Sequence, residues 1–154
     1  MVGVISDTHS LLRPEAVAAL ADSALILHAG DIVSDYIVEN LQRIAPVVAV
    51  RGNCDPVSLE WTAGIHATET AEAAGKSFYL LHNLEMLDLK PRAAGFDAVI
   101  FGHTHQPGFH RRDGVLYFNP GSAGPRRTGL PVSVGRIFVE DGELHPEIVE
   151  LRVG

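Results

Sequence analysis

Seven side chains carrying the hard donor atoms of metal ligands are scattered along this chain in short groups: Asp7 with His9, Asp31, Asn53, His82, and His103 with His105. Carboxylate, imidazole and amide donors without a thiolate suit borderline-hard dications, Mn²⁺ first, with Fe²⁺, Ni²⁺ or Zn²⁺ as alternatives. A single first-row ion uses about four to six ligands, whereas two ions sharing a carboxylate use all seven. Asp31, alone in its loop, is the natural bridge. Asp7 and His9 lie two apart, as do His103 and His105. In extended chain each pair points to one side, which makes two pincers.

The elements that must position these groups follow from hydrophobic patterning. Val2 to Ile5 is a short apolar run that empties into Ser6-Asp7-Thr8-His9, and Pro14 then opens a short helix over Glu15 to Leu20. Leu25 to His28 followed by Ala29-Gly30-Asp31 repeats the scheme, with a helix from Tyr36 to Ile44. Val47 to Val50 followed by Arg51-Gly52-Asn53-Cys54-Asp55 repeats it again. Three buried strands, each ending in a polar loop, predict a parallel sheet with right-handed crossovers, and such sheets bind ligands at their carboxyl ends. Farther on, His66 to Ala73 and Lys76 to Leu81 flank Ala74-Gly75 as a hairpin, and Leu84 to Ala94 reads as a short helix broken at Pro91. Ala98 to Phe101 feeds Gly102-His103-Thr104-His105, and Val115 to Phe118 follows the turn Asp113-Gly114. Ser133 to Glu140 and Glu143 to Leu151, joined by Asp141-Gly142, carry the clearest hairpin signal.

Each group has an ordinary reading when taken alone. Asp7 could cap the following helix, Gly30-Asp31 and Gly52-Asn53 are common turn dipeptides, and His82 could be a hydrogen-bonded core histidine. Two alternating imidazoles after a buried strand are harder to place without a metal. The joint occurrence of five such elements, each at a strand's carboxyl end, favours the metal site.

The 154 residues are 46% hydrophobic and 20% charged, ordinary for one globular domain spanning 1–154. A net charge of −7, with basic pairs only at Arg111-Arg112 and Arg126-Arg127, argues against a nucleic-acid surface. Cys54 is the sole cysteine, so no internal disulfide forms and a reducing compartment fits. With no basic leader and no apolar run of membrane-spanning length, a soluble cytoplasmic protein is expected, able to form a homo-oligomer.

The groups Asp7-Thr8-His9, His28-Ala29-Gly30-Asp31, Arg51 to Asp55, Gly102 to His105 and Asn119 to Ser122 stand in this order over nearly the whole chain. In this the sequence resembles the calcineurin-like metallophosphoesterases, and among them the small single-domain phosphodiesterase branch. The resemblance implies an α/β fold, a four-layer α/β/β/α sandwich of two facing mixed sheets, with a dimetal centre. By analogy Asp7, His9, Asp31 and His105 hold one ion, and Asp31, Asn53, His82 and His103 the other. Asp31, Asn53 and His103 are the residues expected to carry catalysis, with Ser122 and Arg126 against the substrate. Two positions depart from the family pattern. Asn83-Leu84 follows His82 where glycine and a further histidine are usual, and Cys54 follows Asn53 where larger phosphatases place a histidine that acts as general acid.

Two dications about 3.5–4 Å apart hold a water, lower its pKa toward neutrality and neutralise charge on the phosphoryl oxygens. The expected activity is hydrolysis of a small phosphate ester, a diester before a monoester, by a metal-bridging hydroxide. Cys54 reads more readily as a small core residue than as a proton donor. The competing class is an interaction module, since a retromer subunit uses this fold as a scaffold with a decayed metal site. No ligand position is decayed here.

Overall fold

The computed structural model describes residues 1–56 and 60–153. The first half alternates strand and helix: β1 (Val2–Ile5), α1 (Pro14–Ala19), β2 (Leu25–His28), α2 (Asp35–Gln42) and β3 (Val47–Ala49). β1, β2 and β3 are parallel, in the register Val2 to Leu25 and Ile26 to Val47. Pro14 occupies the first turn of α1, where its missing N–H is not needed. α2 buries Ile37 and Leu41, one turn apart on a single face.

The second half is built from hairpins. β4 (Thr68–Ala73) pairs with β5 (Lys76–Leu81), β6 (Ala98–Ile100) follows, then come β7 (Gly108–Arg112) with β8 (Val115–Asn119) and β9 (Ser133–Glu140) with β10 (Glu143–Glu150). The turns Ala74-Gly75, Asp113-Gly114 and Asp141-Gly142 all have positive φ at both residues, the two-residue geometry whose twist matches that of the strands.

Two five-stranded mixed sheets result, one ordered β10-β9-β1-β2-β3 and the other β4-β5-β6-β8-β7. Between them lies one apolar cluster, with Val2, Val4 and Leu27 of the first sheet against Phe78, Leu80, Ile100 and Phe118 of the second. Alternation along β1 sends Ile5 to the other face, where it joins Ile26, Leu20, Ile37 and Leu41 under α1 and α2. The outer face of the second sheet buries Tyr79, Leu81, Val99 and Val115. The architecture is the expected α/β sandwich of two facing mixed sheets.

Two local expectations are corrected. The helix expected over Leu84 to Ala94 is a 3₁₀ turn, Leu84–Met86, that starts where the Asn83 side chain accepts the Glu85 N–H at 3.1 Å. Pro91 removes an N–H and restricts Lys90, so Leu84, Leu87 and Leu89 cover the sheet from irregular chain. β7 was not expected at all. It is an exposed edge strand of sequence Gly-Phe-His-Arg-Arg, whose charges replace the apolar alternation that marks a half-buried strand. Among the described residues no helix is long and apolar enough to cross a membrane.

Candidate metal centre

The loops after β1, β2, β3, β5, β6 and β8 meet at one rim, stitched by main-chain bonds. Asp7 N–H donates to Gly30 O at 2.9 Å, His9 N–H to Asp31 O at 3.0 Å, and Gly102 N–H to His82 O at 3.0 Å. Five of the seven candidate ligands sit in left-handed backbone: Asp7 (φ 55°), His9 (44°), Asp31 (57°), His103 (73°) and His105 (63°). The pincers are therefore not extended chain, as the spacing alone suggested. Tight left-handed turns aim the side chains inward, and such conformations persist only where surrounding contacts hold them.

Each buried carboxylate has one oxygen anchored and one offered. Asp7 Oδ2 accepts from Ser6 Oγ at 2.6 Å and from the His103 N–H at 3.2 Å, which leaves Oδ1 facing His105 Nε2 at 3.3 Å. Asp31 Oδ1 accepts the Cys54 N–H at 2.8 Å, while Oδ2 lies 3.5 Å from His9 Nε2 and 3.3 Å from His82 Nε2. His82 Nδ1 donates to Ala29 O at 2.7 Å, which fixes the tautomer and frees Nε2 for the centre. Burial opposes ionisation of Asp31, but the His82 imidazole and the Cys54 N–H outweigh it and take the carboxylate down to about 2. Burial likewise works against charge on His82, and the Asp31 carboxylate reverses it and raises the pKa. For His105 burial wins, and the value is lowered.

His103 packs edge-on against His82 with ring centroids 5.1 Å apart, and Asn53 shares a cavity wall with His103, Asp31, His9 and His105. The fold thus brings all seven candidates to one rim. The glycines beside them are there for close approach. A Cβ at Gly30 would stand 2.8 Å from His82 Nδ1, one at Gly102 2.6 Å from Asp7 Oδ2, and one at Gly52 would strike the Asp31 carboxylate.

The donor set fits divalent ions. Asp7 Oδ1, His9 Nε2, His82 Nε2 and His105 Nδ1 are buried without a hydrogen-bond partner, a costly state for polar atoms unless something else engages them. Ligand atoms of Asp7, His9 and His105 lie within 4.8 Å of one another, as do those of Asp7, Asp31 and His82. Asp7 is common to both groups.

The family model for the calcineurin-like phosphoesterase superfamily domain matches residues 1–142. The chain belongs to the calcineurin-like phosphoesterase superfamily. It is 39% identical to a probable metallophosphoesterase of Methanothermobacter thermautotrophicus, over 97% of this chain and 91% of that one. It is similar in structure to an archaeal phosphodiesterase, with a TM-score of 0.77 and 27% identity over 96% of this chain and 99% of that one. The same fold occurs in Vps29 of Cryptosporidium parvum, with a TM-score of 0.72 at 20% identity over 97% of this chain and 96% of that one.

Within this calcineurin-like centre the remaining candidates fall differently from expectation. Ser122 is buried beneath the metal loop and its hydroxyl donates to Asp7 O at 3.1 Å, so it braces the backbone of a ligand and does not line the cavity. Arg126 is exposed, and the arginine on the cavity wall is its neighbour Arg127. Cys54 is not a core residue: it is exposed, lines the same cavity, and its Sγ lies within 4.8 Å of the ligand atoms of His9 and Asp31. A thiol excluded by composition therefore borders the oxygen and nitrogen set. Desolvation in the loop and the Asp31 carboxylate raise its pKa.

Two supporting residues went unassigned in the sequence although both lie inside quoted motifs. Asp55 accepts from Val33 N–H at 2.7 Å and Gly52 N–H at 2.8 Å, tying the second and third loops together. Asn119 donates to Gly102 O at 3.2 Å and Thr104 Oγ1 at 3.1 Å and so holds the loop that carries His103 and His105. Motif membership was the only sequence signal for either.

Chelation supplies a direct test of the fit. An ion present at a hundred times its Kd stabilises the folded state by about 2.7 kcal/mol, which for a domain of this size raises Tm by roughly 5–10 °C. Calorimetry of metal-stripped protein before and after addition of Mn²⁺ or Zn²⁺ should show that rise, and it should be smaller in His82→Ala. Coincident melting curves would mean that the orphaned atoms do not bind these ions.

Proposed function

We propose that this protein is a dinuclear metal-dependent phosphodiesterase, with Asp31 a residue that would hold both ions. The observation that carries this reading is the set of buried, unpartnered atoms Asp7 Oδ1, His9 Nε2 and His82 Nε2, which converge with His105 Nε2 and the offered oxygen of Asp31. Asp7, His9, Asp31 and His105 would hold one ion and Asp31, Asn53, His82 and His103 the other. Oxygen and nitrogen donors favour Mn²⁺, with Ni²⁺, Fe²⁺ and Zn²⁺ as alternatives. When bound, such a pair supplies Lewis acidity, activating a water at neutral pH and neutralising charge that develops on phosphoryl oxygens.

The chain's own contribution is positioning. Ser6, Cys54 and Ala29 fix Asp7, Asp31 and His82 through their anchored atoms, so no reorganisation is required as charge moves. Arg127 on the cavity wall can donate to a phosphate oxygen. One arginine suits the single negative charge of a diester better than the two charges of a monoester, and Cys54 stands where larger phosphatases place their leaving-group acid.

Arg127→Ala should raise the KM for a diester about tenfold, the lower end of what a charge-assisted hydrogen bond gives, because the side chain is exposed. Arg126→Ala should leave KM where it was. The reverse pattern in steady-state kinetics would return the phosphate contact to Arg126.

The reading is tested with bis-p-nitrophenyl phosphate beside p-nitrophenyl phosphate, using metal-stripped protein reconstituted with Mn²⁺, Ni²⁺, Zn²⁺ or Mg²⁺. Turnover that depends on metal, favours the diester and disappears in His103→Ala supports it. The likeness of fold to Vps29 leaves open a second reading, a scaffold on the same fold. Two ions bound per chain with no turnover on either ester would move the weight to the scaffold.

A further inference from the structure

Two cavities share the rim formed by Asn53 and His103. One, of about 380 Å³, is the polar cavity of His9, Asp31, Cys54, His105 and Arg127. The other, of about 490 Å³, shares Asn53 and His103 with it and has a different character: its remaining walls are Arg51, Ala67, Thr68, Leu81, His82, Asn83 and Met86, with Gly52. Met86 ends the 3₁₀ turn Leu84–Met86, which begins at the Asn83-Leu84 pair that follows His82. Its side chain is 73% exposed, the most exposed large apolar side chain among the described residues. A lone exposed methionine is ordinary. Here it stands at the mouth of a cavity with Leu81 and Ala67 that runs directly into the metal rim, and methionine is well suited to pack on a flat ring.

We propose that this second cavity seats one organic arm of the substrate, an apolar group of about the size of a single aromatic ring, while the phosphodiester carrying it lies at the rim formed by Asn53 and His103. The inference rests on the phosphodiesterase reading and makes it specific. A diester projects two organic groups from one phosphorus, and the two cavities flank one rim. The apolar arm enters on the Met86 side and the arm on the Arg127 side meets a polar wall. A monoester would leave one cavity unused.

The test uses binding and needs no turnover. Zn²⁺-loaded protein carrying ¹³C-methyl methionine has only the Met1 and Met86 methyl signals to resolve. It is titrated with diphenylphosphinate, a monoanion whose two rings are joined to phosphorus by P–C bonds that water cannot cleave, with dimethylphosphinate, and with inorganic phosphate. The expected result is that diphenylphosphinate binds roughly tenfold or more tightly than dimethylphosphinate, as burial of one ring predicts, and moves the Met86 methyl signal while Met1 stays. Met86→Gln, similar in size but polar, should narrow that ratio. Equal affinities, or a Met86 signal that stays still while both phosphinates bind, overturn the apolar seat and leave the metal centre standing. Failure of all three anions to bind the loaded protein overturns the phosphodiesterase reading and the seat with it.

Discussion

Asp31→Asn is expected to lower kcat/KM for bis-p-nitrophenyl phosphate by more than about 100-fold and to release at least one of two bound ions. Loss of a group that merely orients a metal ligand already costs 10–100-fold, so loss of a bridging charge should exceed that range. The substitution is close to isosteric. An asparagine side chain can keep the anchoring contact to the Cys54 N–H through its carbonyl oxygen, so the fold around the loop is retained. What disappears is the negative charge between His9 Nε2 and His82 Nε2, the atoms assigned to the two different ions. Elemental analysis of the purified variant beside its turnover decides the matter. A variant that still carries two ions and half the activity would remove Asp31 from the bridging position.

His28 governs the second large effect, on stability in acid. It is fully buried behind the metal loops, where its Nδ1 accepts the Gly30 N–H at 3.1 Å. The proton therefore sits on Nε2, which donates to Thr8 Oγ1 at 3.1 Å, and Thr8 passes its own proton to Ile32 O at 3.3 Å. A second ring proton would point at the Gly30 N–H. Burial, reinforced by repulsion from His82, lowers this imidazole from its ordinary 6.5 to about 3. The unfolded chain then binds a proton near pH 6.5 that the folded chain refuses until about pH 3. Stability is complete above pH 6.5 and falls as the pH drops between those values. At pH 5, 1.5 units below the ordinary value, the loss is about 2 kcal/mol, at 1.36 kcal/mol per unit. Urea unfolding of metal-free protein at pH 7.5 and pH 5.0 measures it. Wild type should lose about 2 kcal/mol more than His28→Gln across that interval, and parallel losses would assign the acid sensitivity to other groups.

Much of this was legible along the chain, because the signals were local. A β-branched or leucine-rich run of four residues ending in a polar loop marks a parallel strand, and three in succession gave β1, β2 and β3 within a residue of where they lie, although β3, at the sheet edge, is only half-buried. Gly at the second position of Ala74-Gly75, Asp113-Gly114 and Asp141-Gly142 marked hairpin turns, since positive φ is free only for glycine there. The side-chain types alone named oxygen and nitrogen donor chemistry. Where the sequence carried no periodic signal, reading failed: β7 has charged residues in place of alternation, and the segment after Leu84 has apolar residues at near-helical spacing that Pro91 forbids from becoming a helix.

The amino-acid sequence by itself determined which elements form, which residue types could hold a metal, and the order in which they come. The tertiary structure alone decided how they meet. Strand pairing brings β1 beside β2 and β9 although β9 is some 130 residues away in sequence, and two sheets had to close face to face before six loops could share a rim. Left-handed turns, not strand pleat, aim the ligands, and that geometry is enforced by bonds from Ser6, Cys54 and Ala29 that no spacing encodes. The choice between Arg126 and Arg127, the exposure of Cys54 and the cavity under Met86 belong to the same class. Each depends on which way a side chain leaves an irregular loop, and that is fixed by distant neighbours because a loop has no period of its own.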